Sequence, residues 1–161
     1  HGLGQETLLI ANQPELYAPF GLPCLPDLVP DAGPLGGLYT ALSHARHAWT
    51  LVVGCDMPWL NTALLRALIE LALAEDAHVA VVPRWGAYPE ALHALYHQGN
   101  LPALRAALAA GHLKTGRFLA TLRVRYMERA EIAPLDPLGR SFTNLNTPAD
   151  VIAAELFGGD A

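Results

Sequence analysis

An α/β architecture with a mostly parallel sheet flanked by helices is what this sequence predicts, on three observations. Strand-like and helix-like segments alternate over residues 7–82. The strand candidates are short apolar runs bounded by turn residues, whereas the helix candidates carry leucines at three- and four-residue spacing. The strongest run, residues 49–54, ends abruptly in Cys55-Asp56-Met57-Pro58, placing a carboxylate at the C-terminal end of a strand, where open α/β sheets bind ligands.

Taken in order, residues 7–11 read as a buried strand that stops at Asn12, after which Gln13 and Pro14 open a loop or short helix. Residues 22–25 form a weaker strand, which Pro23 and Pro26 confine to an edge or a short length. Residues 27–34 make a Pro/Gly/Asp loop. From Leu35 the recurrence of Leu38, Leu42 and Ala45 predicts a helix with Gly36 and Gly37 in its first turn. After the strand at 49–54, Asn61 or Thr62 caps a helix whose apolar face is Leu64, Leu68, Leu71 and Ala72. Another buried strand is expected at 78–82. Right-handed crossovers between parallel strands then bring Asn12 and Asp56 to the same sheet edge.

The second half is less regular. Residues 91–96 make a poorly alternating strand and 101–110 a helix ended by Gly111, with a second helix at 115–122 after a threonine cap. A short strand is expected at 124–127 and a proline-containing loop at 130–140. A terminal helix is expected at 148–156, with Thr147 as its cap and Pro148 in its first turn.

A chain of 161 residues with 52% apolar residues has ample material for one core, and a single domain over residues 1–161 is expected. The formal net charge is −5, and the ten Lys plus Arg lie scattered, so no footprint for duplex nucleic acid is present. Cys24 and Cys55 fit no metal-binding spacing and read as buried or incidental thiols. No apolar stretch reaches the roughly 18 residues that span a bilayer, and no signal core is visible. The expectation is a soluble cytoplasmic protein without membrane or nucleic-acid partners.

Three segments carry chemistry. Asp56 after a strand suits a metal ligand for a phosphate substrate, although an aspartate before a proline turn also serves as an ordinary cap. Asp31-Ala32-Gly33-Pro34-Leu35-Gly36-Gly37 feeds a glycine-rich turn into a helix, whose free N–H groups can hold a phosphate or a base edge. Lacking a following lysine and hydroxyl, it is not a P-loop, and glycines before a helix are commonly punctuation. Phe142-Thr143-Asn144-Leu145-Asn146-Thr147-Pro148 puts two amides on one face if extended, suited to orienting a polar ligand or to bracing the backbone. His44 and His47, and His93 and His97, have helix-type spacings but read better as solvated or packed residues than as metal ligands. Arg84 and Trp85 could meet a phosphorylated, stackable acceptor, with an exposed loop anchored by one aromatic as the plainer alternative.

In this order the motifs Gly33-Pro34-Leu35-Gly36-Gly37, Cys55-Asp56-Met57-Pro58 and Phe142-Thr143-Asn144-Leu145-Asn146-Thr147-Pro148 resemble the molybdenum cofactor guanylyltransferases. Pro89-Glu90-Ala91-Leu92-His93-Ala94-Leu95-Tyr96 is a softer match. The resemblance implies a Rossmann-like three-layer nucleotidyltransferase fold that moves GMP from GTP to the terminal phosphate of molybdopterin, releases pyrophosphate and depends on Mg2+. It implies that Asp56 binds the metal and acts in catalysis, and that Asn12, Asp27, Gly33, Pro34, Leu35 and Asp56 contact the nucleotide. Asn144 and Asn146 fall on the acceptor side. GTP and molybdopterin are the implied substrates, and proteins that mature molybdoenzymes the implied partners.

The family opens with a strand, a glycine-rich phosphate loop bearing an arginine and then a lysine, and a helix. Nothing ahead of residue 7 matches these, and Lys114, the only lysine, lies far downstream. The expectation is a domain that is N-terminally incomplete relative to the family. The rival readings are a related nucleotidyltransferase using CTP or a sugar phosphate, and a non-catalytic cofactor-binding scaffold of the same fold.

Overall fold

The computed structural model describes residues 2–74, 77 and 79–157. Two short strands come first, β1 (Leu9–Ile10) and β2 (Cys24–Leu25), joined by a 3-10 helix at Pro14–Phe20. Helix α1 (Gly33–His44), β3 (Trp49–Val53), α2 (Thr62–Ala74), β4 (Ala80–Arg84) and β5 (His93–His97) follow. The chain continues through α3 (Leu101–Ala109), α4 (Thr115–Leu119), β6 (Val124–Glu128), α5 (Arg129–Ile132) and α6 (Pro148–Phe157).

The four longer strands form one sheet in the order β3-β5-β4-β6. β4 and β6 are parallel, and β5 runs antiparallel to both β3 and β4, so β3, β4 and β6 share one direction and β5 alone is reversed. The reversal follows from chain length, because residues 85–92 are fewer than the dozen or so that a parallel crossover needs.

Helices cover both faces. On one face Leu35, Leu38 and Leu42 of α1, Leu104 of α3, and Phe118 and Leu119 of α4 pack on Ala80, Val82, Ala94 and Tyr96. On the other, Leu64, Leu65, Leu68 and Ala72 of α2 and Ile132 of α5 pack on Val81, Leu95 and Met127. Successive residues of β4 and β5 thus feed alternate layers, as the two-residue period of a strand requires. Asn61 starts α2 by accepting the Leu64 amide on Oδ1 (3.0 Å), while its Nδ2 donates to the Leu135 carbonyl (2.9 Å).

Four expectations are corrected. β1 and β2 pair only with each other among the described residues, Leu9 opposite Cys24 and Ile10 opposite Leu25, and do not join the main sheet; Pro23 and Pro26 keep β2 to two residues. α1 begins at Gly33 rather than Leu35, because Pro34 suits a first helical turn. The expected loop at 130–140 contains α5, nucleated by a capping box in which the Glu128 and Glu131 side chains hold each other's backbone amides. The N-cap of α4 is Lys114, without a side-chain bond, so the expected threonine cap is absent there. His78, where the strand at 78–82 was expected to begin, lies outside the described residues.

Gly139 is the position where backbone geometry most restricts the sequence. Its φ is 63°, and a Cβ there would run into the indole of Trp85. Gly139→Ala is therefore expected to destabilise the fold by about 2 kcal/mol through backbone strain and displacement of the indole, read as a lowered urea midpoint at unchanged slope.

Candidate functional site

Because β3, β4 and β6 share a direction, the loops that follow them emerge at one edge of the sheet. The turn after β3 is tied there by the Gly54 amide donating to the Leu92 carbonyl (2.8 Å) and closed by the Met57 amide donating to the Gly54 carbonyl (3.3 Å). Met57 is buried and anchors the turn, while Asp56 stays half-exposed. Among the described residues no hydrogen bond or ion pair engages the Asp56 carboxylate. It folds back over Gly54 so closely that a Cβ at residue 54 would sit 2.5 Å from Oδ1. Gly54→Ala is expected to displace the carboxylate and lower any Asp56-dependent activity at least about tenfold, with little change in thermal midpoint. Parallel activity and melting measurements check this.

A second segment joins this turn. The Leu145 amide donates to the Asp56 carbonyl (2.8 Å), bringing residues 142–148 to residues 55–58 across a wide sequence gap. Upstream, buried Asp136 accepts the Arg140 amide (3.1 Å) and the Ser141 amide (2.9 Å). Downstream, Asp150 accepts the Asn146 amide (2.9 Å) and the Thr147 amide (2.7 Å), and its own amide donates to Thr147 Oγ1 (3.2 Å). These bonds, those to Thr147 foremost, hold the Asp150 carboxyl below its ordinary range. The backbone from 140 to 150 is thus fixed at both ends. Asn144 and Asn146 are exposed, and their side-chain amides make no hydrogen bond among the described residues.

A third group lies between β2 and α1. Asn12 Nδ2 donates to Asp27 Oδ2 (3.1 Å), and the Asp27 amide returns a bond to Asn12 Oδ1 (2.9 Å). The other Asp27 oxygen is buried without a partner and faces the first turns of α1, 3.8 Å from where a Gly37 Cβ would stand. The Leu28 amide donates to Thr40 Oγ1 (2.9 Å), fixing the loop to the helix. Asp31 and Gly33 both take left-handed φ values, 58° and 57°, which turns the chain into α1. Gly33 and Pro34 are exposed, but the Leu35 side chain is fully buried in the core, so ligand contact at residue 35 is left to its backbone. Among the described residues no hydrogen bond links this group to the Asp56 turn.

Arg84 and Trp85 are both engaged within the protein. Arg84 pairs with Glu128 (2.8 Å) and lies over the Tyr126 ring, while Trp85 is stacked on Phe142 (6.2 Å between centroids) and covered by Arg129. His44 bonds the Thr40 carbonyl and His97 accepts the Gly99 amide. Among the described residues no cluster of three or more His, Cys, Asp or Glu side chains could hold a metal. Cys24 and Cys55 are free thiols.

Sequence reasoning missed two residues. Asp136, which the sequence places only in the 130–140 loop, and His93, which it places in the 91–96 strand, in the softer family match and in a four-residue-spaced pair, are both buried, and neither is marked there as a site residue. A histidine inside the apolar run Ala91-Leu92-His93-Ala94-Leu95 was the available signal.

The model of the MobA-like NTP transferase domain matches residues 2–126. The chain belongs to this family. The MobA-like domain is 35% identical over 94% of its length to a probable molybdenum cofactor guanylyltransferase of Pelotomaculum thermopropionicum, covering 72% of that protein. It is 31% identical over 92% of its length to the molybdenum cofactor guanylyltransferase of Syntrophotalea carbinolica, covering 70% of it. The crystal structure of molybdopterin-guanine dinucleotide biosynthesis protein A from Archaeoglobus fulgidus superposes with a TM-score of 0.83 at 27% identity, over 96% of this chain and 80% of that one. The MobA-like fold accounts for the layered α/β sheet, and the chain is a nucleotidyltransferase of this class.

The Asp56 carboxylate would suit a magnesium ion. A single half-exposed carboxylate, unpaired among the described residues, is too little for a closed protein cage. It is what magnesium needs when phosphates and water supply its other ligands.

Proposed function

We propose that this domain transfers GMP from GTP to the terminal phosphate of molybdopterin, forming the guanine dinucleotide form of the cofactor and pyrophosphate. The observation that carries the reading is the Leu145–Asp56 backbone bond, which brings the segment bearing Asn144 and Asn146 to the turn bearing Asp56, all three side chains being without a hydrogen bond among the described residues. One surface then offers a hard oxygen ligand for the donor and neutral hydrogen-bonding groups for a polar acceptor.

In this reading Asp56 would hold Mg2+, which would offset the repulsion between the triphosphate and the incoming phosphate. Asn144 and Asn146 orient the acceptor. The Asn12–Asp27 pair and the turn at Gly33, Pro34 and Leu35 hold the nucleotide, with helix N–H groups and backbone rather than the Leu35 side chain making contact. An oxygen of the acceptor phosphate bonds to the α-phosphorus as the bond to the bridging oxygen breaks, and pyrophosphate leaves with that electron pair. The acceptor phosphate is ionised at neutral pH, so no general base is required. Cytoplasmic action and hand-over of the product to proteins that mature molybdoenzymes belong to the same proposal. No helix among the described residues is long and apolar enough to cross a membrane.

Calorimetric titration with MgGTP, MgCTP and MgATP tests the donor side. A GTP-selective heat that vanishes without magnesium supports the reading. A heat with CTP and none with GTP favours a cytidylyl donor, and no heat with any of the three favours a scaffold.

A further inference from the structure

We propose that His93 is a positioning residue, whose ring holds the 142–148 segment and, through the Leu145–Asp56 bond, fixes the Asp56 carboxylate. The inference rests on the guanylyltransferase reading only for what the carboxylate does.

Two lines of contact meet at residues 92–93. On the backbone side, His93 opens β5 directly opposite Val53, and the Leu92 carbonyl accepts the Gly54 amide (2.8 Å), so this strand end holds the start of the Asp56 turn. On the side-chain side, the His93 imidazole meets the Phe142 ring edge to face, with centroids 5.1 Å apart and planes at 72°. Phe142 begins the segment whose Leu145 amide reaches the Asp56 carbonyl. Both partners of that bond are therefore anchored to the same short stretch of chain. Edge-to-face ring pairs are directional, so the contact specifies an orientation as well as a distance.

His93 is fully buried, and neither ring nitrogen has a hydrogen-bond partner among the described residues. An apolar ring would pack there without that penalty. Burial keeps the imidazole neutral, and Asp136 is the charged group acting on it.

The test follows the Leu145 amide by hydrogen exchange and, separately, the affinity of Mn2+ with GTP by electron paramagnetic resonance. His93→Leu keeps the bulk but removes the ring, and is expected to raise Leu145 exchange and the Mn2+ dissociation constant about tenfold each. The Leu68 amide, deep in α2, should stay protected. His93→Phe restores an edge-to-face ring and should return both readouts most of the way. Phe142→Leu removes the same contact from the other ring, together with the Trp85 stack, and its effect on Leu145 exchange combined with His93→Leu should fall short of the sum of the two single variants. Unaltered Leu145 exchange in both single variants overturns the proposal, as does uniform loss of protection that includes Leu68. Absence of GMP transfer by the unmodified domain would sink the functional reading alone, since the exchange readout does not depend on turnover.

Discussion

Asp56→Asn is expected to cut GMP transfer by about two to three orders of magnitude while leaving the fold intact. The carboxylate is half-exposed and unbonded among the described residues, so replacing it with an isosteric amide removes no stabilising contact. What changes is charge: an amide is a poor ligand for a hard divalent cation, and the repulsion between donor and acceptor phosphates is then offset less. Removing one such electrostatic contribution from a transition state commonly costs a factor of 100 to 1000 (roughly 3–4 kcal/mol). The main-chain bond from Leu145 to the residue 56 carbonyl should persist, because it does not involve the side chain. Steady-state rates at several magnesium concentrations, with melting curves of both proteins, check the result. A rate within threefold of the unmodified domain would remove Asp56 from the metal site.

Acid should destabilise this domain through His93. Burial lowers the folded-state pKa from 6.5 to about 4, only partly opposed by the Asp136 charge. Between those values the unfolded chain binds a proton that the folded chain refuses. The stability from this group is therefore whole above about pH 6.5 and is lost progressively toward pH 4, below which the loss levels off. Integrated over the window, the loss is on the order of 3 kcal/mol. Other groups titrate nearby: burial raises the Glu90 carboxyl, and the Arg125 hydrogen bond lowers that of Glu131, with opposite effects on the slope. The informative quantity is accordingly a difference. Urea unfolding of the parent and of His93→Phe at pH 7 and pH 4.5 should give a parent that loses markedly more stability on acidification. Equal losses would contradict a buried neutral imidazole.

The layered fold was legible because leucine spacing and apolar runs report burial directly. Leu64, Leu68 and Ala72 face the core as their spacing requires, and Asn61 caps as its position suggests. Less legible was strand direction: β5 is reversed by a connection whose shortness can be weighed only once both strand ends are known. The start of α5 depends on a reciprocal pair, Glu128 and Glu131, that looks in sequence like ordinary surface charge. At the candidate site, the three motifs were visible as clusters of Gly, Asp, Asn and Pro, but their mutual placement was not. The bond from Leu145 to Asp56 joins residues far apart in the chain and uses only backbone atoms, which leave no trace in residue identity. Trp85 shows the same limit: the sequence leaves an acceptor-facing ring and an anchoring aromatic both open, and the packing of Phe142, Gly139 and Arg129 against it comes from residues far along the chain.

The most direct measurement incubates the domain with molybdopterin and MgGTP labelled at the α-phosphorus, with labelled CTP and ATP in parallel, and follows the label by chromatography. Label appearing in a molybdopterin–guanine dinucleotide, matched mole for mole by pyrophosphate and formed from GTP alone, is the predicted result. Label moving from CTP instead, or pyrophosphate released with no dinucleotide formed, would contradict a guanylyltransferase.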